Sequence, residues 1–182
     1  MPAGVLRDGR TVRVVQGDIT ALDVDAFVFA ARPDLELGSG YGNAIAVRGG
    51  PGIREELKKL APVVVGQAVA TSGGNLAAKW VIHAVGPRFS ESGEEDKLRS
   101  ATRAALRRAE EKGVRRLALP ALGYGFYGVP AELCAKVMVG ALAEHFAGGS
   151  GLEEVIFCLR DTREMPAFEK ELPALSGEGR RP

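Results

Sequence analysis

The stretch "VDAFVFAA" (24–31) restricts the fold more than any other part of the chain. A strand with one wet face alternates apolar and polar residues; a nearly continuous apolar run marks a strand covered on both faces. "RRLALP", "KWVIHAV" and "EEVIFCL" also read as strands, and segments of helical period lie among them. The longest predicted helix runs from Glu94 to Lys112, with Leu98, Ala101, Ala105, Leu106 and Ala109 as its inner stripe and Gly113 placed to stop it. "AELCAKVMVGALAEHF" turns Leu133, Val137, Ala141 and Phe146 inward, "PGIREELKKLA" does the same with Ile53, Leu57 and Leu60, and "NAIAVRGG" and "MPAFEKEL" are shorter helices. Apolar strands separated by helices imply an α/β sheet with helices on both faces. "VLRDGRTVRVV" reads as a hairpin turning at Asp8-Gly9, and "QAVATS" joins "KWVIHAV" through Gly73-Gly74-Asn75.

A chain of 182 residues is expected to form one domain, here residues 1–173, with 1–10 beginning an extra edge hairpin and 174–182 a disordered tail. Its formal net charge of +1 argues against a general nucleic-acid surface. The start "MPAGVLRDGR" has no apolar segment of the signal-peptide kind, and no run approaches the roughly 20 apolar residues of a membrane span. A cytoplasmic protein without a membrane partner is expected. Cys134 and Cys158 read as buried reduced thiols, and with His83 and His145 they make no metal-ligand spacing, so no metal and no cofactor is expected. His83 lies inside an apolar strand and reads as a satisfied core histidine.

Ligands of such sheets bind at the carboxyl ends of the strands. The loops there follow Val15, Ala31 and Leu119, and all three carry glycine. In "LALPALGYGFYGVPAEL" (117–133), glycines at 123, 125 and 128 lie among Tyr124, Phe126 and Tyr127, just before a helix. "LGSGYGNAI" (37–45) is a second loop of the same kind. Backbone amides freed by glycine, aided by a helix dipole, suit a phosphate or pyrophosphate without much formal charge. Tight turns explain each loop equally well when it is taken alone. There is no G-x-x-x-x-G-K-[ST], which excludes a P-loop NTPase, and Gly38-Ser39-Gly40 lacks the setting of a dinucleotide fingerprint.

Taken together, these words resemble the macrodomain family, the ADP-ribose-binding modules of the Appr-1''-p processing type. "VVQGDIT" is similar to V-x-x-G-D-I-T, and "VDAFVFAAR" stands where V-D-A-I-V-N-A-A-N is usual. "GSGYGNAI", "GGPGIREEL", "WVIHAVGP" and "LALPALGYGFYGVP" follow in the family's order, from about residue 11 to 172. The resemblance implies a three-layer α/β/α sandwich with a central mixed six- to seven-stranded sheet. It implies ADP-ribose, or an ADP-ribosylated macromolecule or metabolite, as ligand and partner. Asp18 would accept from the adenine amino group, with the Ile19 amide beside it; a helix N-cap is the other reading of Asp18. Gly38, Ser39, Gly40, Tyr41 and Gly42 would form one wall of the diphosphate site. Gly123, Tyr124, Gly125, Phe126 and Tyr127 would form the other, the last two residues against the distal ribose. Arg160 stands where many members stack an aromatic residue on adenine, and would stack there or lie on the surface.

The departures fall on the residues that hydrolytic members use. Both asparagines of N-A-A-N are gone, replaced in Phe29-Ala30-Ala31-Arg32, and the acidic residue of G-G-G-V-D-G corresponds to Gly42. Arg32 can meet a phosphate but cannot act as a base. Asp34 and Asn43 are the candidate catalytic substitutes, and a diphosphate oxygen of the substrate is another. Three readings stay open: a binding module, a hydrolase of ADP-ribosyl esters or O-acetyl-ADP-ribose, and an interaction module that has lost its ligand.

Overall fold

The structure is a computed structural model that describes residues 5–38, 40–88, 91–123 and 128–176. Seven strands form one sheet: β1 (Val5–Arg7), β2 (Arg10–Gln16), β3 (Ala26–Ala30), β4 (Ala68–Ser72), β5 (Trp80–Ala84), β6 (Arg116–Leu119) and β7 (Glu154–Leu159). Their order is β1-β2-β7-β6-β3-β5-β4. The five strands from β2 to β5 in that order run parallel, and β1 and β4 close the two edges antiparallel. The sheet is therefore mixed. The hairpin turns at Asp8-Gly9 with Arg7 opposite Arg10, as its sequence requires.

Among the described residues five helices cover it: α1 (Tyr41–Gly49), α2 (Pro51–Leu60), α3 (Glu94–Glu111), α4 (Ala131–Ala147) and α5 (Met165–Glu171). The pleat of β3 shows how they are shared out. Phe27 points to the layer that packs Ile45, Ile53 and Leu57 of α1 and α2. Ala26 and Val28 point to the layer that packs Leu98, Leu106, Met138 and Phe168 of α3, α4 and α5. All three β3 residues are fully buried, which is why that strand has no polar alternation.

Helix ends follow from local chemistry. Glu94, Glu95 and Asp96 open α3, where the helix dipole favours negative charge. It stops as expected at Gly113, whose N–H donates to Glu110 O while the Val114 N–H donates to Ala109 O; this pairing is a Schellman stop. Pro51 sits in the first turn of α2.

Two expectations need correcting. Leu60, assigned to the inner face of α2, is 40% exposed because it falls in the last turn, beyond the layer that buries Leu57. Residues 174–176, assigned to a disordered tail, continue the structure: a 3-10 turn spans Leu172–Leu175, and Leu175 is fully buried against the α3–α4 layer. Residues 177–182 lie outside the described residues. Among the described residues no helix is long and apolar enough to cross a membrane.

Candidate functional site

The parallel strands β2, β7, β6 and β3 deliver their carboxyl ends to one rim. At the β2 exit Gly17 pairs with Leu159 O, and the chain then turns through Asp18 into a single 3-10 turn, Ile19–Ala21. Asp18 caps that turn. Its Oδ1 accepts from the Thr20 N–H at 2.9 Å and from the Thr20 hydroxyl at 2.6 Å. Its Oδ2 accepts from Arg48 of α1 at 3.0 Å, and the same Arg48 nitrogen donates to Thr20 Oγ1 at 3.0 Å. Burial acts to raise the Asp18 pKa, but the hydrogen bonds from Thr20 and Arg48 outweigh it, and the carboxyl sits below its usual range. The N-cap reading of Asp18 thus describes its contacts.

Tyr41, the first residue of α1, reaches to the same turn: its hydroxyl donates to Gly17 O at 3.1 Å. The guanidinium of Arg160, just beyond β7, lies over the Tyr41 ring at 4.6 Å from its centroid. Gln16 in turn donates to Arg160 O at 3.3 Å. Tyr41 and Arg48 are seven residues apart, two helical turns, so one face of α1 supplies both contacts to the β2 exit. Cys158 of β7 lies beneath, and burial, with Asp18 adding to it, pushes its thiol up to about 11. It is buried, as is Cys134.

The loop from β3 to α1 places its charged residues outward. Arg32 pairs with Asp34 at 2.6 Å, and Asp34 also accepts from the Glu36 N–H at 2.9 Å. Both side chains of that pair are about half exposed, 55% and 48%. Asn43 is exposed on α1, Gly38 and Gly40 are exposed before it, and Ser39 lies outside the described residues. Gly42 is buried, and a Cβ there would fall 1.6 Å from the Leu37 carbonyl oxygen. No acidic side chain fits at position 42 while Leu37 holds this place.

On the far side, Gly123 has φ +81°, and a Cβ on it would lie 2.9 Å from Val129 Cγ2. Its carbonyl accepts from the Val129 N–H at 2.8 Å. In the core, Cys134 Sγ donates to Leu122 O at 3.0 Å. Tyr124, Gly125, Phe126 and Tyr127 lie outside the described residues.

His83 is where a core histidine should be. Its Nε2 is 2.9 Å from the Thr71 hydroxyl, Phe29 meets its ring edge-on at 6.0 Å, and burial drives its pKa down to about 3. Its ring is uncharged near neutrality. Among the described residues no group of His, Cys, Asp and Glu could hold a metal ion.

Three residues at this rim escaped the sequence reading: Thr20, Arg48 and Glu164. Helical spacing from Tyr41 was the available signal for Arg48. Glu164 follows Arg160 in a 3-10 turn and is 5% exposed; burial, with Asp161 adding to it, pushes its carboxyl up to about 7.

Comparison with known proteins agrees with this fold. The family model described as Macro domain matches residues 28–138. A macro domain-containing protein of Chlorobaculum tepidum is 36% identical over 176 residues, covering 96% of this chain and 99% of that one. A variant of the Oceanobacillus iheyensis macrodomain solved with ADP-ribose has a TM-score of 0.86 at 24% identity, covering 95% of this chain and 97% of the other. The Trypanosoma brucei macrodomain solved with ADP has a TM-score of 0.83 at 27% identity, covering 90% and 69%.

Proposed function

This chain belongs to the macro domain family, and from that premise we propose that it binds ADP-ribose, free or attached to a target, at the rim where β2, β7, β6 and β3 end. The observation that carries the proposal is the β2 exit: an ionised Asp18 beside the Ile19 amide, on the same rim as Gly123 and the start of α1. The carboxylate accepts from the exocyclic amine of adenine, which a hypoxanthine or guanine base does not offer there. Gly38 to Gly42 and Gly123 to Tyr127 grip the diphosphate through main-chain amides. The T. brucei relative's ADP and the O. iheyensis relative's ADP-ribose support this ligand class. The free, buried thiol of Cys158 suits a reducing cytoplasm as the place of action.

Binding is preferred to hydrolysis for a chemical reason. Cleavage of an ADP-ribosyl bond needs a group that orients or deprotonates water. Asp34 is held by Arg32 and by the Glu36 amide, and Phe29 and Arg32 stand where hydrolytic members carry asparagine. The test is a melting curve with and without ADP-ribose. At 100 times Kd the ligand adds about 2.7 kcal/mol, or about 5–10 °C for a chain this long. Asp18→Ala should lose most of that shift, whatever it does to the unliganded melting point. No shift in the wild type at millimolar ADP-ribose overturns the proposal.

A further inference from the structure

At the β2 exit the rim is filled by its own side chains. Tyr41 sets a polar group on a flat ring against this turn: its hydroxyl donates to Gly17 O at 3.1 Å and lies beside the Ile19 N–H, which acts to lower the Tyr41 pKa. Those two backbone groups flank Asp18, the residue on which recognition of the base depends. One ring face is covered by the Arg160 guanidinium at 4.6 Å from the centroid. That separation is a direct cation–π contact, which leaves no room for a base between ring and guanidinium. Arg48 meanwhile occupies Asp18 Oδ2, and Thr20 occupies Oδ1. Backbone partner and stacking plane are taken at once, and the carboxylate already accepts from Thr20 and Arg48.

We infer that Tyr41 is a base-mimicking plug, which fills the slot between Arg160 and the Gly17–Ile19 turn and must swing out before an adenine base can enter. The inference rests on the ADP-ribose reading above. It makes Tyr41 and Arg48 determinants of specificity: a ligand has to replace a hydroxyl contact, a cation–π contact and an ion pair at one stroke. Adenine can do so, since it offers an amine to Asp18, a ring nitrogen to the Ile19 N–H and a broad face to Arg160. A pyrimidine, with less face to offer the guanidinium, pays the same opening cost for a smaller return.

The experiment is calorimetric titration of the full chain and its Tyr41→Ala and Tyr41→Phe variants with two probes, ADP-ribose and ribose 5-phosphate, which has no base. Opening the plug forfeits one hydrogen bond and one cation–π contact, so Tyr41→Ala should bind ADP-ribose about tenfold more tightly than the wild type. Tyr41→Phe keeps the ring and loses only the hydroxyl, and should gain about threefold. Ribose 5-phosphate should show no gain in either variant. Unchanged or weaker ADP-ribose binding by Tyr41→Ala overturns the plug, and a weakening would assign Tyr41 to stacking on the bound base. An equal gain with ribose 5-phosphate overturns it too, since the effect would then be a loosened loop. If none of the three proteins takes up ADP-ribose, the binding reading falls and the plug with it; wild-type binding with no change in the variants removes the plug alone.

Discussion

Gly42→Ala should destabilise this protein, although the same change in an exposed helix ordinarily stabilises. Gly42 is the second residue of α1, and alanine in a helix is favoured over glycine by about 1 kcal/mol. The added Cβ, however, would lie 1.6 Å from the Leu37 carbonyl oxygen and 2.5 Å from its carbonyl carbon. Both atoms are backbone, so no rotamer change relieves the contact. Leu37 would have to retreat by about 1.5 Å to reach an ordinary separation, and its side chain is 4% exposed in the layer with Ile45 and Ile53. Overpacking of that kind costs about 1–3 kcal/mol, and more where backbone must move. After the helix gain is deducted, a net loss of about 1–2 kcal/mol is expected, or about 2–8 °C in melting temperature for a chain of this length. Gly42→Asp, which restores the acidic residue of the family pattern, meets the same carbonyl with a larger side chain and should cost at least as much. Melting curves or urea midpoints give the answer directly. A Gly42→Ala variant as stable as the wild type, or more so, would refute the close approach of Leu37 and with it this description of the loop.

Two buried titrating groups set opposite pH dependences. His83 has a folded pKa of about 3 against 6.5 when exposed, so the stability it contributes is present above 6.5 and lost at about 1.4 kcal/mol per pH unit as pH falls from about 6 to 4. Urea midpoints between pH 4 and 8 should show a flatter acid limb for His83→Gln, and an unchanged slope contradicts the assignment. Glu164, raised to about 7, keeps its proton in the folded chain between 4.5 and 7 while the unfolded chain gives it up, so its contribution is lost as pH rises through that window. Glu164→Gln should therefore be more stable than the wild type at pH 8 and should steepen the acid limb between 4.5 and 6.5. Arg48→Ala removes the Asp18 Oδ2 partner and should move the Asp18 carboxyl upward in a carbon-NMR titration; an unmoved pKa would mean the ion pair is absent in solution.

The sequence announced the fold almost completely, for reasons the structure makes concrete. "VDAFVFAA" is apolar throughout because β3 lies in mid-sheet with helices above and below, and Gly113 ends α3 through hydrogen bonds that its position alone suggested. What failed was at the margins, where burial depends on what packs there: Leu60 emerges beyond the layer that covers Leu57, and Leu175 is drawn into the core after the last helix. The site was legible as residue types and loops, and less so as contacts. Asp18, Tyr41 and Arg160 were named, yet nothing in a linear pattern says that Tyr41 turns its hydroxyl to Gly17 and its ring to Arg160. Arg48 went unnoticed because an arginine on a short helix resembles any solvated charge until the partner strand is placed. Asp34 illustrates the opposite case: a carboxylate near a ligand loop invites a catalytic role, while its pairing with Arg32 and the Glu36 amide is visible only in three dimensions.

The measurement that tests the central claim most directly is calorimetric titration of the wild-type protein with ADP-ribose, with ADP and AMP as comparators. The account predicts micromolar binding of ADP-ribose, clearly tighter than ADP, with AMP weakest, because base, diphosphate and distal ribose each add contacts along the rim. Equal, weak heats for all three would mean that Phe29 and Arg32 close the distal-ribose pocket. No heat with any of them would contradict the claim that this rim is a nucleotide site.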